Sequence, residues 1–149
     1  MAKMEMDIIN TRCAGIDNGS RSHFVAVGQG DDDVKEFGVY AEDLTAICQH
    51  LKTNNIKAVA MESTGTYWQN LYVELAKNGF DVTLCNGKFT PNIKGKKTDV
   101  KDARWIQKLH SIGLLSGSFL PDDTTETLRT YCRQRTNWLR LSVEATHKM

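Results

Sequence analysis

One stretch, residues 96–105 (KKTDVKDARW), places two carboxylates within a dense run of cations. Asp99 and Asp102 are three positions apart where a helical pattern begins, so on a helix they would share one face. Such a pair can share a metal ion, and the surrounding Lys and Arg side chains suit a polyanion. The stretch therefore has the residue types for metal-dependent phosphodiester chemistry, provided that the fold brings further carboxylates to it.

The first part of the chain is predicted to form three strands and a helix. An apolar run at 13–16 stops at Asp17, and β-rich segments follow at 23–27 and 34–40. Turns rich in Gly, Asp and Asn join these segments, which predicts an antiparallel meander. Apolar residues at helical spacing then predict a helix over 41–55.

Strands and helices alternate after this meander. A strand at 57–61 ends at Glu62, residues 63–65 are expected to cap a helix, and a further strand spans 80–85. This strand–helix–strand order is typical of a parallel sheet. The polar segment 86–97 is predicted to be a loop.

Two helices complete the predicted order. One begins at Asp99 and ends near Gly113, and the other begins near Asp123. The apolar stripe of the last helix consists of Leu128, Tyr131, Cys132, Trp138, Leu139 and Val143. The helix has no stop signal before Met149, which favours a fragment of a longer protein or a helix completed by a partner. We expect that partner to be a second protomer in a homodimer or homotetramer.

This order of elements indicates an α/β protein of the RNase H-like class, a mixed sheet flanked by helices. In that fold a carboxylate at the end of the first strand, here Asp17, faces one at the end of the fourth, here Glu62. The helix that begins at Asp99 would add Asp99 and Asp102 to a cluster of four carboxylates. Ligands of this kind suit Mg²⁺, and two such ions about 4 Å apart can promote phosphodiester cleavage.

Each acid also has a simpler explanation. Asp17 precedes Asn-Gly and would fit a turn, and Glu62 would fit the first turn of a helix, where the dipole favours negative charge. Asp99 followed by Asp102 fits a helix cap. The joint placement of all four at strand ends and a helix start favours the metal site.

Three motifs resemble those of the DEDD transposases of the insertion sequence 110 type. They are 15–17 (GID), 61–68 (MESTGTYW) and 97–105 (KTDVKDARW), and the later segments 113–115, 118–121, 128–129 and 133–135 follow the order of that family. The resemblance extends from about Gly15 to the end of the chain. Asn18-Gly19 and Asn86-Gly87 depart from the family's more usual Val-Ser and Asn-Pro, but neither change removes a carboxylate.

The resemblance implies a RuvC-like catalytic domain at 1–115, followed at 116–149 by a connection and the start of a long linking helix. It implies that Asp17, Glu62, Asp99 and Asp102 are catalytic and hold Mg²⁺, with Mn²⁺ as a substitute. Such enzymes recombine donor and target DNA under the direction of a structured guide RNA. Their serine nucleophile lies in a second domain without a counterpart in these residues, so we do not expect this chain to complete recombination alone.

The charge distribution also points to a polyanion. Residues 1–87 have 7 Lys and Arg against 12 Asp and Glu, whereas residues 88–149 have 12 against 6. The candidate nucleic-acid contacts are Lys88, Lys94, Lys96, Lys97, Lys101, Arg104 and Lys108 near the acids, and Arg129, Arg133 and Arg135 on the last helix. Tyr67, Trp68 and Trp105 can stack on bases, but their helical spacing favours core positions.

The cysteine spacing and the distribution of apolar residues indicate the cellular compartment. Cys13, Cys48, Cys85 and Cys132 are widely spaced, which argues against a zinc site and a disulfide framework and predicts reduced thiols. The sequence shows no signal peptide and no apolar stretch of membrane-spanning length. We expect a soluble cytoplasmic protein of a bacterium or archaeon, associated with the nucleoid when bound to DNA.

Two other functions are compatible with parts of the sequence. Residues 15–20 (GIDNGS) resemble the phosphate loop of actin-like and sugar-kinase ATPases, although the second Asp-Gly loop of that fold is missing. The other alternative is a non-catalytic nucleic-acid-binding module, in which the acids only cap and pack.

Overall fold

The computed structural model describes residues 7–63, 65–86, 98–115, 117, 120 and 122–148. The chain divides into two compact units, Met1–Ser118 and Phe119–Met149. The predicted loop at 86–97 lies outside the described residues apart from Asn86.

In the described residues, the first unit contains a five-stranded sheet and three α-helices. The strands are β1 (Cys13–Asn18), β2 (His23–Ala26), β3 (Val34–Phe37), β4 (Ala58–Glu62) and β5 (Asp81–Cys85). The helices are α1 (Ala41–Thr53), α2 (Trp68–Lys77) and α3 (Asp99–Ser111), and a short 3₁₀ turn at Asp31–Asp33 precedes β3. The second unit contains one helix, α4 (Asp123–His147).

The five strands form one sheet in the order β3-β2-β1-β4-β5. β1 and β3 each pair antiparallel with β2, which confirms the predicted meander. β4 pairs parallel with β1 and with β5, which confirms the strand–helix–strand unit. A mixed sheet with this strand order and with flanking helices is the arrangement of an RNase H-like fold, so the predicted fold class is confirmed.

Helices cover both faces of the sheet, because alternate residues of each strand point to opposite sides. Ala14, Ile16, Val59 and Met61 belong to a core with the buried residues of α1 and α2. On the other face, Ala60, Cys85 and Ile106 form a smaller core with α3. The site therefore depends on how α3 packs against the central strand.

The packing of α3 on β1 requires a glycine. A Cβ atom on Gly15 would lie 2.6 Å from the carbonyl oxygen of Ala103 and closer still to the backbone nitrogen of Gln107. The side-chain amide of Gln107 donates to the carbonyl of Cys13 at 3.3 Å. At the far end of α3, the backbone N–H groups of Ile9 and Asn10 both donate to Ser111, at 2.8 and 2.9 Å. The helix thus lies directly on the backbone of β1 at Gly15 and is hydrogen-bonded to the segment that precedes the strand.

Three local details correct the sequence predictions. β1 continues to Asn18, so Asp17 is paired within the strand opposite Phe24 and is not a turn residue. The cap of α3 is Thr98, whose hydroxyl accepts from the N–H of Lys101 at 3.3 Å, so Asp99 is not the cap. α2 begins at Trp68, beyond the predicted cap at 63–65, after a turn in which Gly65 has φ of +61°.

The predicted aromatic core residues have different environments. Trp68 packs against the main core and meets Tyr72 edge to face, with 5.9 Å between ring centroids. Trp105 is half-buried. Tyr67 is 50% exposed, so its predicted core position is wrong. It lies on the turn before α2 and not within the helix.

The residues of α4 are exposed to solvent, apart from Thr125 and Glu126, which are half-buried. Asp122 caps it by accepting from the N–H of Thr125 at 2.7 Å, and ion pairs join Arg133 to Glu126 and Arg140 to Glu144. No residue of α4 is buried, and its predicted apolar stripe is exposed. Within the ranges that the structure describes, no helix has the length and apolar character needed to cross a bilayer.

Candidate metal centre

The candidate site lies where β1 and β4 end side by side. The two strands are parallel and Ile16 is opposite Met61, so the following residues, Asp17 and Glu62, emerge at the same edge of the sheet. The side-chain amide of Asn18 donates to the backbone carbonyl of Glu62 at 2.9 Å and ties the two strand ends together. This edge is where the sequence placed the first two carboxylates.

The first turn of α3 brings the other two acids to this edge. One carboxylate oxygen each from Asp17, Asp99 and Asp102 can be chosen so that all three lie within 4.8 Å of one another. Asp17 and Asp102 are half-buried, whereas Asp99 is exposed. Glu62 is not part of this group of three but lines the same pocket as Asp17 and Asp99.

The donor set fits a hard divalent cation. Mg²⁺ prefers oxygen ligands, takes few of them from the protein and keeps several waters, so three carboxylates are sufficient. The neighbouring Asn18 Oδ1 is a buried oxygen without a hydrogen-bond partner in the part of the chain that the structure describes. This amide oxygen can accept a hydrogen bond from a water molecule of a hydrated cation. Asn18 was not among the site residues predicted from the sequence.

The site opens into a pocket of about 420 Å³. Its walls are formed by Asp17, Asn18, Gly19, Ser20, Arg21, Ser22, Phe24, Glu62 and Asp99. Four of these nine residues, 19–22, form the turn between β1 and β2, which was not among the site residues predicted from the sequence. Two features of the sequence indicate that this turn could line the site. The turn closely follows Asp17, and it contains one cation, Arg21, among small polar residues.

The predicted nucleic-acid contacts are distributed over both units. Lys101 and Lys108 are exposed on α3, and Arg129, Arg133 and Arg135 are exposed on α4. Arg104 forms an ion pair with Asp31 at 2.5 Å, and its side chain is 24% exposed. Lys88, Lys94, Lys96 and Lys97 lie outside the described residues. The role of all ten in binding stays a prediction.

The three buried cysteines, Cys13, Cys48 and Cys85, are not suited to act as nucleophiles. Burial, with a smaller contribution from the charge of Glu62, raises the pKa of Cys85 to about 12. Burial also raises the pKa values of Cys13 and Cys48. Since the thiolate is the reactive form, these three side chains are inert near neutral pH.

Alkylation is therefore expected to select one cysteine. In the native protein at pH 8, iodoacetamide should modify the exposed Cys132 and leave the three buried thiols unmodified until the fold opens. Peptide mass spectrometry after timed quenching measures this. Cys132→Ser should abolish native labelling, and rapid native labelling of Cys48 would contradict the described burial.

Comparisons with known proteins give three findings. Residues 14–149 match the transposase family of the DEDD type, insertion sequence 110 group. Among solved structures, the chain is similar to RuvC of T. thermophilus in complex with a Holliday junction substrate, at 15% identity and a TM-score of 0.46. The alignment covers 71% of this chain and 99% of that one. No curated protein matches the chain. Because the family match includes both strand-end acids, α3 and α4, the chain belongs to the DEDD transposases of the insertion sequence 110 type.

Proposed function

We propose that this chain is the metal-binding half of a recombinase that cleaves and rejoins phosphodiester bonds of donor and target DNA. The observation that carries the proposal is the convergence of Asp17, Asp99 and Asp102 in one cluster. These three residues would hold Mg²⁺ or Mn²⁺, with Glu62 as the fourth carboxylate of the pocket. A bound divalent ion would polarise a phosphate oxygen and lower the pKa of the attacking group.

The protein's contribution is to hold the carboxylates rigidly. Asp17 is held by its pairing with Phe24 of β2, next to Ile16, which is paired with β4, and Asp99 and Asp102 are held by the first turn of α3. Negative charge in that turn is favoured by the helix dipole, which offsets part of the repulsion between the acids. The half-buried positions of Asp17 and Asp102 limit the number of water-exposed orientations that their side chains can adopt.

We further propose that a structured guide RNA directs the chain to its DNA. The cations of α3 and α4 that face solvent would contact nucleic-acid backbones without reading sequence. The serine nucleophile would come from a second domain, so this chain alone would not complete recombination. The exposed stripe on α4 (Leu128, Tyr131, Trp138, Leu139 and Val143) supports association with a second protomer through that helix.

Calorimetric titration of the 149-residue chain with Mg²⁺ tests the metal centre. We expect the wild type to bind Mg²⁺ and Asp102→Asn to weaken binding about tenfold or more, because a ligand of the ion is lost. Mg²⁺ should also raise the melting temperature of the wild type more than that of the variant. A ligand stabilises the native state only to the extent that it binds, and the variant binds Mg²⁺ more weakly.

Asp32→Asn is the matched control, because Asp32 is exposed on the 3₁₀ turn and the substitution removes the same charge. It should leave Mg²⁺ affinity unchanged. If Asp102→Asn bound Mg²⁺ as tightly as the wild type, or if Asp32→Asn weakened binding equally, the cluster would not be the metal site.

A further inference from the structure

The turn between β1 and β2 forms one wall of the acidic pocket. Its residues 19–22 line the pocket together with Asp17, Glu62 and Asp99. The N–H of Gly19 donates to the carbonyl of Ser22 at 3.0 Å and closes the turn. A Cβ on Gly19 would lie 2.6 Å from that carbonyl oxygen, so the tight closure requires glycine.

This turn is held in a fixed position relative to the acids. Asn18 and His23, which flank it, are paired in the β1–β2 ladder. Asn18 also donates to Glu62, so the base of the turn is anchored on β4 as well. A side chain that projects from this turn therefore starts from a backbone with a defined place beside the carboxylates.

Among the described residues that line the pocket, Arg21 is the one cation, and three carboxylates (Asp17, Glu62 and Asp99) line the same pocket. It is exposed, and among the described residues its guanidinium forms no ion pair; Arg104 on α3, by contrast, is paired with Asp31. A phosphodiester entering this pocket meets strong negative potential unless a cation on the opposite wall offsets it. A guanidinium suits this purpose, because its fork of N–H donors matches two phosphate oxygens.

We propose that Arg21 binds a non-bridging phosphate oxygen of the DNA strand that occupies the acidic pocket. The ligand class is a phosphodiester backbone, and the contact is independent of base sequence. The proposal rests on the proposed function, since it assumes that a strand is brought to the carboxylates. It assigns to the β1–β2 turn a role in aligning the strand, whereas the acids hold the metal.

The test compares Arg21→Ala, Arg21→Lys and the control Arg12→Ala in the 149-residue chain. Arg12 is also exposed, but it precedes the opposite end of β1, so its removal changes net charge equally and leaves the pocket intact. The probes are two fluorescent single-stranded DNA oligonucleotides of unrelated sequence, titrated at several salt concentrations. Mg²⁺ affinity is measured in parallel by calorimetry.

We expect Arg21→Ala to weaken binding of both oligonucleotides by roughly threefold to tenfold at low salt and to reduce the salt slope by about 0.7. Arg21→Lys should keep the slope, because the charge remains. Mg²⁺ affinity of Arg21→Ala should be unchanged or higher, since a cation near the carboxylates is removed. Arg12→Ala should change neither oligonucleotide affinity nor Mg²⁺ affinity.

An unchanged salt slope in Arg21→Ala, an equal loss in Arg12→Ala, or no binding by the wild type would overturn the proposal. If the wild type binds Mg²⁺ and Arg21→Ala has no effect on oligonucleotide binding, the phosphate contact of Arg21 is contradicted, whereas the metal centre is still supported. Loss of oligonucleotide binding in Arg21→Ala without any Mg²⁺ binding by the wild type would instead support the subsite and contradict the proposed function.

Discussion

Asp17→Asn is expected to abolish the Mg²⁺-dependent recombination that we propose for this chain acting together with a second, serine-bearing domain. Asp17 is the member of the cluster that comes from the central strand, and the amide keeps its shape while removing its charge. Several kcal/mol of transition-state stabilisation depend on a correctly held divalent ion, which corresponds to a loss of about 10³-fold or more in rate. Recombination between donor and target plasmids, scored by junction-specific amplification, measures the effect.

Two controls accompany the Asp17→Asn measurement, one for folding and one for the loss of charge. Circular dichroism and thermal melting should show that Asp17→Asn remains folded, because the substitution changes no volume. Asp32→Asn should recombine at the wild-type rate, since Asp32 is exposed and outside the pocket lining. Wild-type recombination by Asp17→Asn would show that the cluster has no part in the chemistry.

Gly15→Ala is expected to cause the largest loss of stability, about 2–4 kcal/mol in the free energy of unfolding. The added methyl would meet backbone atoms of Ala103 and Gln107, which cannot rotate away as a side chain can. Strand and helix must therefore separate, and Asp99 and Asp102 move with the helix away from Asp17. Urea unfolding measures the stability change, and Mg²⁺ titration should show weaker binding by the fraction that stays folded.

Gly117→Ala is the matched control, since among the described residues the nearest atom to the same methyl there would be Thr83 Cγ2 at 3.8 Å. It should change the free energy of unfolding by less than about 0.5 kcal/mol. Equal stability of Gly15→Ala and the wild type would mean that α3 does not pack on β1 as closely as described. Reduced stability of Gly15→Ala with unchanged Mg²⁺ affinity would show that Mg²⁺ binding does not depend on the close packing of α3 against β1.

The sheet order and the positions of the acids were predictable because they depend on repeated signals. Turn residues and apolar alternation marked each strand, and the parallel unit around α2 followed from its strand–helix–strand order. Because β1 and β4 were predicted to end at the same edge of the sheet, Asp17 and Glu62 could be placed together without information on side-chain contacts. The family match sets aside the actin-like ATPase alternative.

The local details were less predictable because single residues decide them. Thr98 and Asp99 are adjacent and both are good caps, so the sequence alone cannot choose between them. The start of α2 depends on the positive φ of Gly65, and the exposure of Tyr67 follows from that turn. Arg21 and Asn18 were missed because pocket walls arise from tertiary placement, which periodicity does not encode.

The place of β1 at the centre of the sheet has a consequence for synthesis on the ribosome. β2 follows β1 almost immediately, but β4 and α3 are separated from it by much longer stretches of chain. Contacts of this separation form slowly, because the intervening loops must close first. Asp17 therefore leaves the exit tunnel well before Asp102 does, and the three-acid cluster is incomplete until α3 has emerged. The cluster can thus assemble only when synthesis of the first unit is nearly finished.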